Sequence, residues 1–387
     1  KGQAVDRPTQ ADYFYLARYW NQLSPEFLTL YKKAVSIPST FDVHVSSGGA
    51  FEIYYTTSGR DAVDPADTYG FDPGDWRTTV DGANGVPDYV DEMGWALDSS
   101  YRLEVTSLGF PPPYPYRDFA HRSERYKVVV ESLEEGIYGQ TQPVSRSESS
   151  IGYTSLITIR NEWTGVNSPD YLDYENNPVG AVRVTAAHEL FHAVQFSLAR
   201  RHGRWRYGDD YPLSWAEGTA VLMEELAFDD INDHRQYADV LFRFRQIPAI
   251  DMSDRVGAAY LTGIFALYLY YFAAEEPGID FVKTIYENNY SSAVPFEENL
   301  IRTSRSLGHE WKELLRRFHR GCYFTGDKFD RRYFLPDADL FPTWPDSLEY
   351  PEGFRYITVE KMIYPYAGAH WEFRHEPDHG DSLTVRL

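Results

Sequence analysis

Hydrophobic and polar positions in the first half of the chain alternate between helical and strand-like spacing. Apolar residues recur at helical intervals over positions 13–35, with a break at Pro25, which predicts one or two short helices. Alternating segments over 41–55 predict a β-hairpin, and apolar runs at 127–131 and 155–160 predict buried strands. This half is therefore expected to form a mixed α/β layer.

The second half of the chain has mainly helical patterns. The longest covers residues 182–200 and leaves no wide polar face, which predicts a largely buried helix. Further patterns predict helices at 215–228, 231–244, 258–274, 281–290 and 310–319, and short strands at 356–359, 371–374 and 382–387. We expect an α+β protein with an N-terminal α+β part (1–180), a helical part (181–330) and a small β-rich C-terminal unit (331–387).

Composition restricts the classes of partner and cofactor. The chain has 37 Lys+Arg against 58 Asp+Glu, a net charge of −21, so no nucleic-acid partner is expected. The single cysteine, Cys322, rules out an intrachain disulfide, so a metal would need His and carboxylate ligands. No apolar run approaches the roughly 20 residues of a membrane span. An acidic, Tyr-rich, nearly Cys-free chain favours a secreted or cell-surface bacterial protein, of open oligomeric state.

A His-Glu-x-x-His motif lies inside the long predicted helix, at His188, Glu189 and His192. Positions i and i+4 share one helix face, about 5–6 Å apart at Cβ. Two imidazoles at that separation can hold one Zn²⁺ while the glutamate reaches the metal-bound water. Burying these groups among apolar side chains is costly unless they are ligated or paired. The motif predicts a zinc site, and the alternative is hydrogen-bonded core histidines beside an ion-paired Glu189.

A catalytic zinc needs a third protein ligand, for which Glu217 is the candidate. It lies near the start of the next predicted helix, after a polar loop in which the chain can reverse. The alternative is a capping box, in which Glu217 returns a hydrogen bond to the backbone of Ser214. Gly218 is unfavourable in a helix and indicates close packing against a neighbouring helix, which favours the ligand. His202 and His234 are weaker ligand candidates, and the favoured alternative places each of them at the surface.

These residues resemble the gluzincin family of zinc metallopeptidases, in which His-Glu-x-x-His supplies two ligands and a downstream Glu the third. Over about residues 40–290 the chain also resembles a bacterial family of secreted metalloproteases, known mainly from myxobacteria and Bacteroidetes-like organisms. The similar segments are Phe51-x-Ile53-x-Tyr55-x-Thr57-Ser58-Gly59, Asn84-Gly85-Val86-Pro87-Asp88, Leu108-Gly109-Phe110 and the motif helix with Gln195.

The resemblance implies a zincin-like helical half and a role for each site residue. His188, His192 and Glu217 would bind Zn²⁺, and Glu189 would be the general base that takes a proton from the attacking water. Tyr260 begins a Tyr-x-x-Gly segment similar to that of some gluzincin aminopeptidases, so it is the candidate donor to the oxyanion. A purely structural role for Tyr260 is the alternative. The implied substrate is a protein or peptide.

An acidic loop before the predicted helix near Pro87 resembles Asp/Asn-Gly loops that bind Ca²⁺. Its candidate ligands are Asp81, Asn84, Asp88 and Asp91. Two of the carboxylates usual in such loops are missing, so an ordinary turn before a helix is an equal alternative.

Two functions from different classes follow. The first is a secreted zinc-dependent peptidase that hydrolyses peptide bonds with metal-activated water and with Glu189 as general base. The alternative is a catalytically silent protein of the same fold that acts as an extracellular surface, structural or binding protein. A calcium-dependent binding module would rest only on the acidic loop.

Overall fold

One main sheet and a set of packed helices make up the described part of this α+β protein. The computed structural model describes residues 10–72, 78–117, 120–146, 152–198, 212–242, 247–250, 259–274, 277–291, 294–343, 347–348, 367–368 and 372–373. Its α-helices are α1 (Gln10–Tyr19), α2 (Pro25–Ala34), α3 (Asp88–Tyr101), α4 (Pro178–Leu198), α5 (Leu213–Ala227), α6 (His234–Leu241), α7 (Thr262–Phe272), α8 (Asp280–Ser291), α9 (Phe296–Ser306) and α10 (Trp311–Gly321).

The strands are short, apart from two in the main sheet. They are β1 (Asp42–Val45), β2 (Phe51–Tyr55), β3 (Tyr69–Phe71), β4 (Thr79–Asp81), β5 (Tyr114–Pro115), β6 (Tyr126–Glu131), β7 (Gly139–Arg146), β8 (Tyr153–Arg160), β9 (Ile247–Pro248), β10 (Ser347–Leu348), β11 (Ala367–Gly368) and β12 (Glu372–Phe373). In the main sheet β1 pairs antiparallel with β2, and β2, β6 and β8 run parallel. β5 also pairs parallel with β8. β7 pairs antiparallel with β8.

Helix α4 contributes to two hydrophobic clusters, which explains why its sequence lacks a polar face. Leu190 packs with the sheet and α3, whereas Phe191 and Phe196 pack with α1, α5, α7 and α8. Every residue from 184 to 198 is buried. The polar motif in this helix is therefore buried, as the sequence predicted.

Most predicted elements are confirmed with small changes at their ends. The hairpin is β1 and β2, and the strands expected at 127–131 and 155–160 are β6 and β8. Helix α9 and the strands β3, β4, β5, β7, β9, β10 and β11 were not predicted. Among the C-terminal strands, β12 lies within 371–374, while 356–359 and 382–387 lie outside the described residues. None of the described helices has the length and apolar character to cross a membrane.

Candidate metal centre

Three buried ligand atoms converge between α4 and α5. The Nε2 atoms of His188 and His192 lie 2.9 Å apart, and Glu217 Oε2 lies 3.1 Å from the first and 3.3 Å from the second. Ligands bound tetrahedrally to zinc at about 2.0–2.2 Å are separated by roughly 3.3 Å. All three side chains are buried. This near-equilateral triangle matches one face of a tetrahedral zinc site.

The residue at which α5 begins distinguishes the two interpretations of Glu217, as a metal ligand or as part of a capping box. The helix begins at Leu213 and its N-cap position is Pro212, so Ser214 lies inside the helix and does not cap it. The Ser214 hydroxyl is buried and has no hydrogen-bond partner among the described residues. The capping-box alternative is therefore wrong, and the Glu217 carboxylate is directed at the two histidines.

Close contact between α5 and α7 requires glycine on both helices. A Cβ atom at Gly218 would lie 2.8 Å from the carbonyl carbon of Thr262, and one at Gly263 would lie 2.6 Å from Val221 Cγ1. This confirms the helix contact that Gly218 indicated. The same contact places the residues before α7, including Tyr260, beside the ligand triangle.

Hydrogen bonds behind the histidines orient both rings. Glu224 Oε1 lies 2.5 Å from Nδ1 of His188, and Gln195 Oε1 lies 2.9 Å from Nδ1 of His192. Gln195 donates its amide N–H groups to Ala216 O and neighbouring hydroxyls, which leaves its oxygen to accept from the imidazole. Because each Nδ1–H is held by an acceptor, each Nε2 is directed at the centre. Such outer partners fix the tautomer that metal binding needs.

The ionisable side chains of the centre shift one another's pKa values. Burial acts to raise the pKa of Glu217, but the two histidines outweigh burial and lower it to about 2. Burial also opposes protonation of His188, yet hydrogen bonds to Glu217 and Glu224 hold its pKa well above the ordinary value. A bound cation would replace this proton, because a ligating imidazole must be neutral. The site thus favours a positive charge at its middle.

Glu189 lies next to the triangle and contacts β7. The Thr141 hydroxyl donates to Glu189 Oε2 at 2.7 Å. A Cβ atom at Gly139 would lie 2.7 Å from Glu189 Cγ, so only glycine leaves room for this carboxyl group. Burial raises the pKa of Glu189, and the two histidines partly offset that rise. A carboxylate with a raised pKa and a fixed position is suited to accept a proton near neutral pH.

Tyr260 also lies at the centre. Its ring stacks on His188, with centroids 5.7 Å apart and planes inclined by 24°, and on the other side it stacks on Tyr237. Burial, followed by the charge of Glu217, raises the pKa of Tyr260 well above its ordinary value. The phenol is therefore neutral and can donate a hydrogen bond. The structure brings Tyr260 and Glu189 together with the three predicted ligands, whereas the weaker candidate His202 lies outside the described residues.

Helix α1 contacts both His192 and strand β7. The Phe14 ring meets His192 edge-on, with centroids 5.2 Å apart. Gln10 Nε2 donates to Thr141 O at 3.1 Å, and Thr141 N–H donates to Gln10 Oε1 at 2.9 Å. The Gln10 carboxamide thus occupies both the backbone N–H and the backbone carbonyl of Thr141 in β7. Nothing in the sequence pattern indicated this arrangement.

Comparisons with known proteins found no match. No protein-family model, curated protein or solved structure matches the chain. The functional argument therefore rests on the residues and contacts described above.

The four calcium candidates do not converge in the structure. Asp81 lies in β4 and is exposed. Asp88 accepts hydrogen bonds from the backbone and hydroxyl groups of Thr68. Asn84 presents its amide nitrogen to Asp91 at 2.8 Å, whereas a cation would need the amide oxygen. The loop is the turn that precedes α3, and we propose no calcium site there.

Asp91 is expected to make stability depend on pH. Burial, with a contribution from nearby carboxylates, raises its pKa from 3.8 to about 6. Between these pH values the folded chain keeps a proton that the unfolded chain loses, so the free energy of unfolding falls as pH rises through this range. We expect the melting temperature to decline more between about pH 4 and pH 7 in the parent than in Asp91→Asn. Equal declines in the two proteins would contradict this assignment.

Proposed function

We propose that this protein is a secreted zinc-dependent peptidase of gluzincin type. The main support for this proposal is the triangle formed by His188 Nε2, His192 Nε2 and Glu217 Oε2, with Glu189 beside it. Two imidazoles and one carboxylate are a ligand set of catalytic zinc sites, which keep a further position for water or substrate. The acidic composition supports an extracellular location.

Each residue around the triangle would have a defined part in hydrolysis. Zinc, when bound, would supply a Lewis acid that lowers the pKa of its water to about 7. Glu189 would accept the proton of that water during attack on the peptide carbonyl and later deliver it to the leaving amine. Thr141 would hold Glu189 in position. Tyr260 would donate its phenolic hydrogen to the developing oxyanion.

One observation favours the alternative of a metal-holding protein without turnover. His192 and Glu217 are both 0% exposed, and Phe14 of α1 packs against the His192 ring. A closed zinc site suits a structural metal, whereas a catalytic site must admit substrate. The two functions therefore differ in whether substrate can reach the centre.

Metal analysis is the first test of this proposal. Zinc should be found by elemental mass spectrometry in protein purified without chelators, and its amount should fall by one equivalent in His188→Ala. Peptide hydrolysis should depend on the same equivalent. Folded parent protein that holds no zinc at this centre would overturn the proposal, and zinc without hydrolysis would favour the silent alternative.

Removing the Gln10 carboxamide is expected to raise activity. An extended peptide that pairs with β7 would need the two Thr141 groups that Gln10 now occupies. Each such hydrogen bond contributes about 1 kcal/mol, so the loss of both in Gln10→Ala should speed peptide hydrolysis by roughly 30-fold. Gln22→Ala is the matched control, because Gln22 is exposed in the same segment. Equal rates in the parent and Gln10→Ala would show that substrate does not compete with Gln10.

A further inference from the structure

A second group of metal-ligating side chains lies apart from the candidate centre. It consists of Glu225 at the end of α5, His234 at the start of α6 and Asp337. Each offers one ligand atom, and these atoms lie within 4.8 Å of one another. Glu225 and His234 are 4% and 2% exposed. The expectation that His234 lies at the surface is therefore wrong.

Carboxylates outnumber cationic groups here. His234 Nδ1 lies 2.6 Å from Glu225 Oε2, and Asp229 forms a further side-chain hydrogen bond with Glu225. One imidazole thus faces the carboxylates of Glu225, Asp229 and Asp337. In the part of the chain that the structure describes, the one ion pair at these groups is His234 with Glu225. Arg331 acts on Asp337 only as a more distant charge.

The ligand atoms of Glu225, His234 and Asp337 are close enough to bind one cation. Glu225 and His234 are buried, and carboxylates placed side by side away from water repel each other. A divalent cation would offset this repulsion and give each ligand atom a partner. The donor set of one imidazole and two or three carboxylates suits zinc or manganese. The two sites are also linked through the chain, because Glu224, behind His188, precedes Glu225.

We propose that Glu225, His234 and Asp337 form a second divalent-cation site. The cation would join α5, which carries Glu217, to α6 and to the segment that contains Asp337. That segment is distant from both helices in the sequence. Its role would be to stabilise the fold, because it would tie together side chains from separate segments of the chain. The site is independent of whether the protein is a peptidase.

Metal stoichiometry of the full chain tests the proposal. The protein is stripped with chelator, dialysed, and titrated with Zn²⁺ and separately with Mn²⁺, and tightly bound metal is counted by elemental mass spectrometry. We expect two zinc equivalents in the parent, one in His234→Ala and one in His188→Ala. His309→Ala is the control and should keep two. Asp337→Asn, at a partly exposed position, keeps the shape of the side chain and should also bind one.

The pattern of losses separates this inference from the proposed function. A single parental equivalent that is lost in His188→Ala and kept in His234→Ala and Asp337→Asn would overturn the second site and leave the zinc centre intact. An equivalent lost in His234→Ala and Asp337→Asn, with none lost in His188→Ala, would support the second site and overturn the peptidase proposal. Added metal should raise the melting temperature of stripped His188→Ala, and no rise would count against a stabilising cation.

Discussion

Glu189→Gln is expected to lower peptide hydrolysis by about 10²–10⁴-fold while zinc remains bound, because a general base contributes about that factor. The amide has nearly the same shape as the carboxylate and can still accept the hydrogen bond from Thr141. It cannot take a proton from the attacking water. Binding and orientation of substrate should therefore persist, and the loss should fall on kcat.

The control for this prediction is a Glu→Gln change away from the centre. Glu287 is exposed on α8, so Glu287→Gln removes the same charge without touching the ligand triangle. Both variants are assayed on a fluorogenic peptide mixture, and zinc content is measured on the same samples. Full hydrolysis by zinc-loaded Glu189→Gln would disprove the proposed mechanism. Loss in both variants would show that net charge, and not the base, controls the rate.

Local spacing was sufficient to predict the centre itself. His188 and His192 are one helical turn apart, so any α-helix through them places both rings on one face. Gly218 indicated a close helix contact, and the structure shows that contact with α7. Glu217 and Tyr260 lie on either side of it. Their arrival at the histidines depends on chain reversal and helix packing, which the polar loop and Gly218 indicated for Glu217 and only the resemblance indicated for Tyr260.

The surroundings of the centre could not be predicted, because they depend on contacts between distant segments. Gln10 meets Thr141 across most of the N-terminal part, and β7 itself has a polar sequence of low strand propensity. Glu224 looks like an ordinary surface residue of α5 until α4 is packed against it. His234 is buried beside the ring of Phe341, which lies beyond the part of the chain that was expected to be helical.

Changes at Glu217 and Glu224 are expected to weaken zinc binding to different extents. Glu217→Ala removes a ligand atom and a full negative charge from a buried position, so the centre should lose its zinc at micromolar metal. Glu224→Gln keeps an acceptor for His188 Nδ1–H and should weaken binding by the about 10- to 100-fold typical of outer partners. Competition with a chromophoric chelator measures both affinities.

The relative size of these two losses in zinc affinity shows whether Glu217 is the metal ligand. Glu217 and Glu224 lie two turns apart on α5, and both contact His188, one at Nε2 and the other at Nδ1. If Glu217 binds the metal, its removal must cost more affinity than any change behind the histidine. A larger loss in Glu224→Gln than in Glu217→Ala would mean that His188 turns its other nitrogen to the metal. The zinc would then lie on the Glu224 side of the ring, away from Glu189, and the proposed base would be out of reach.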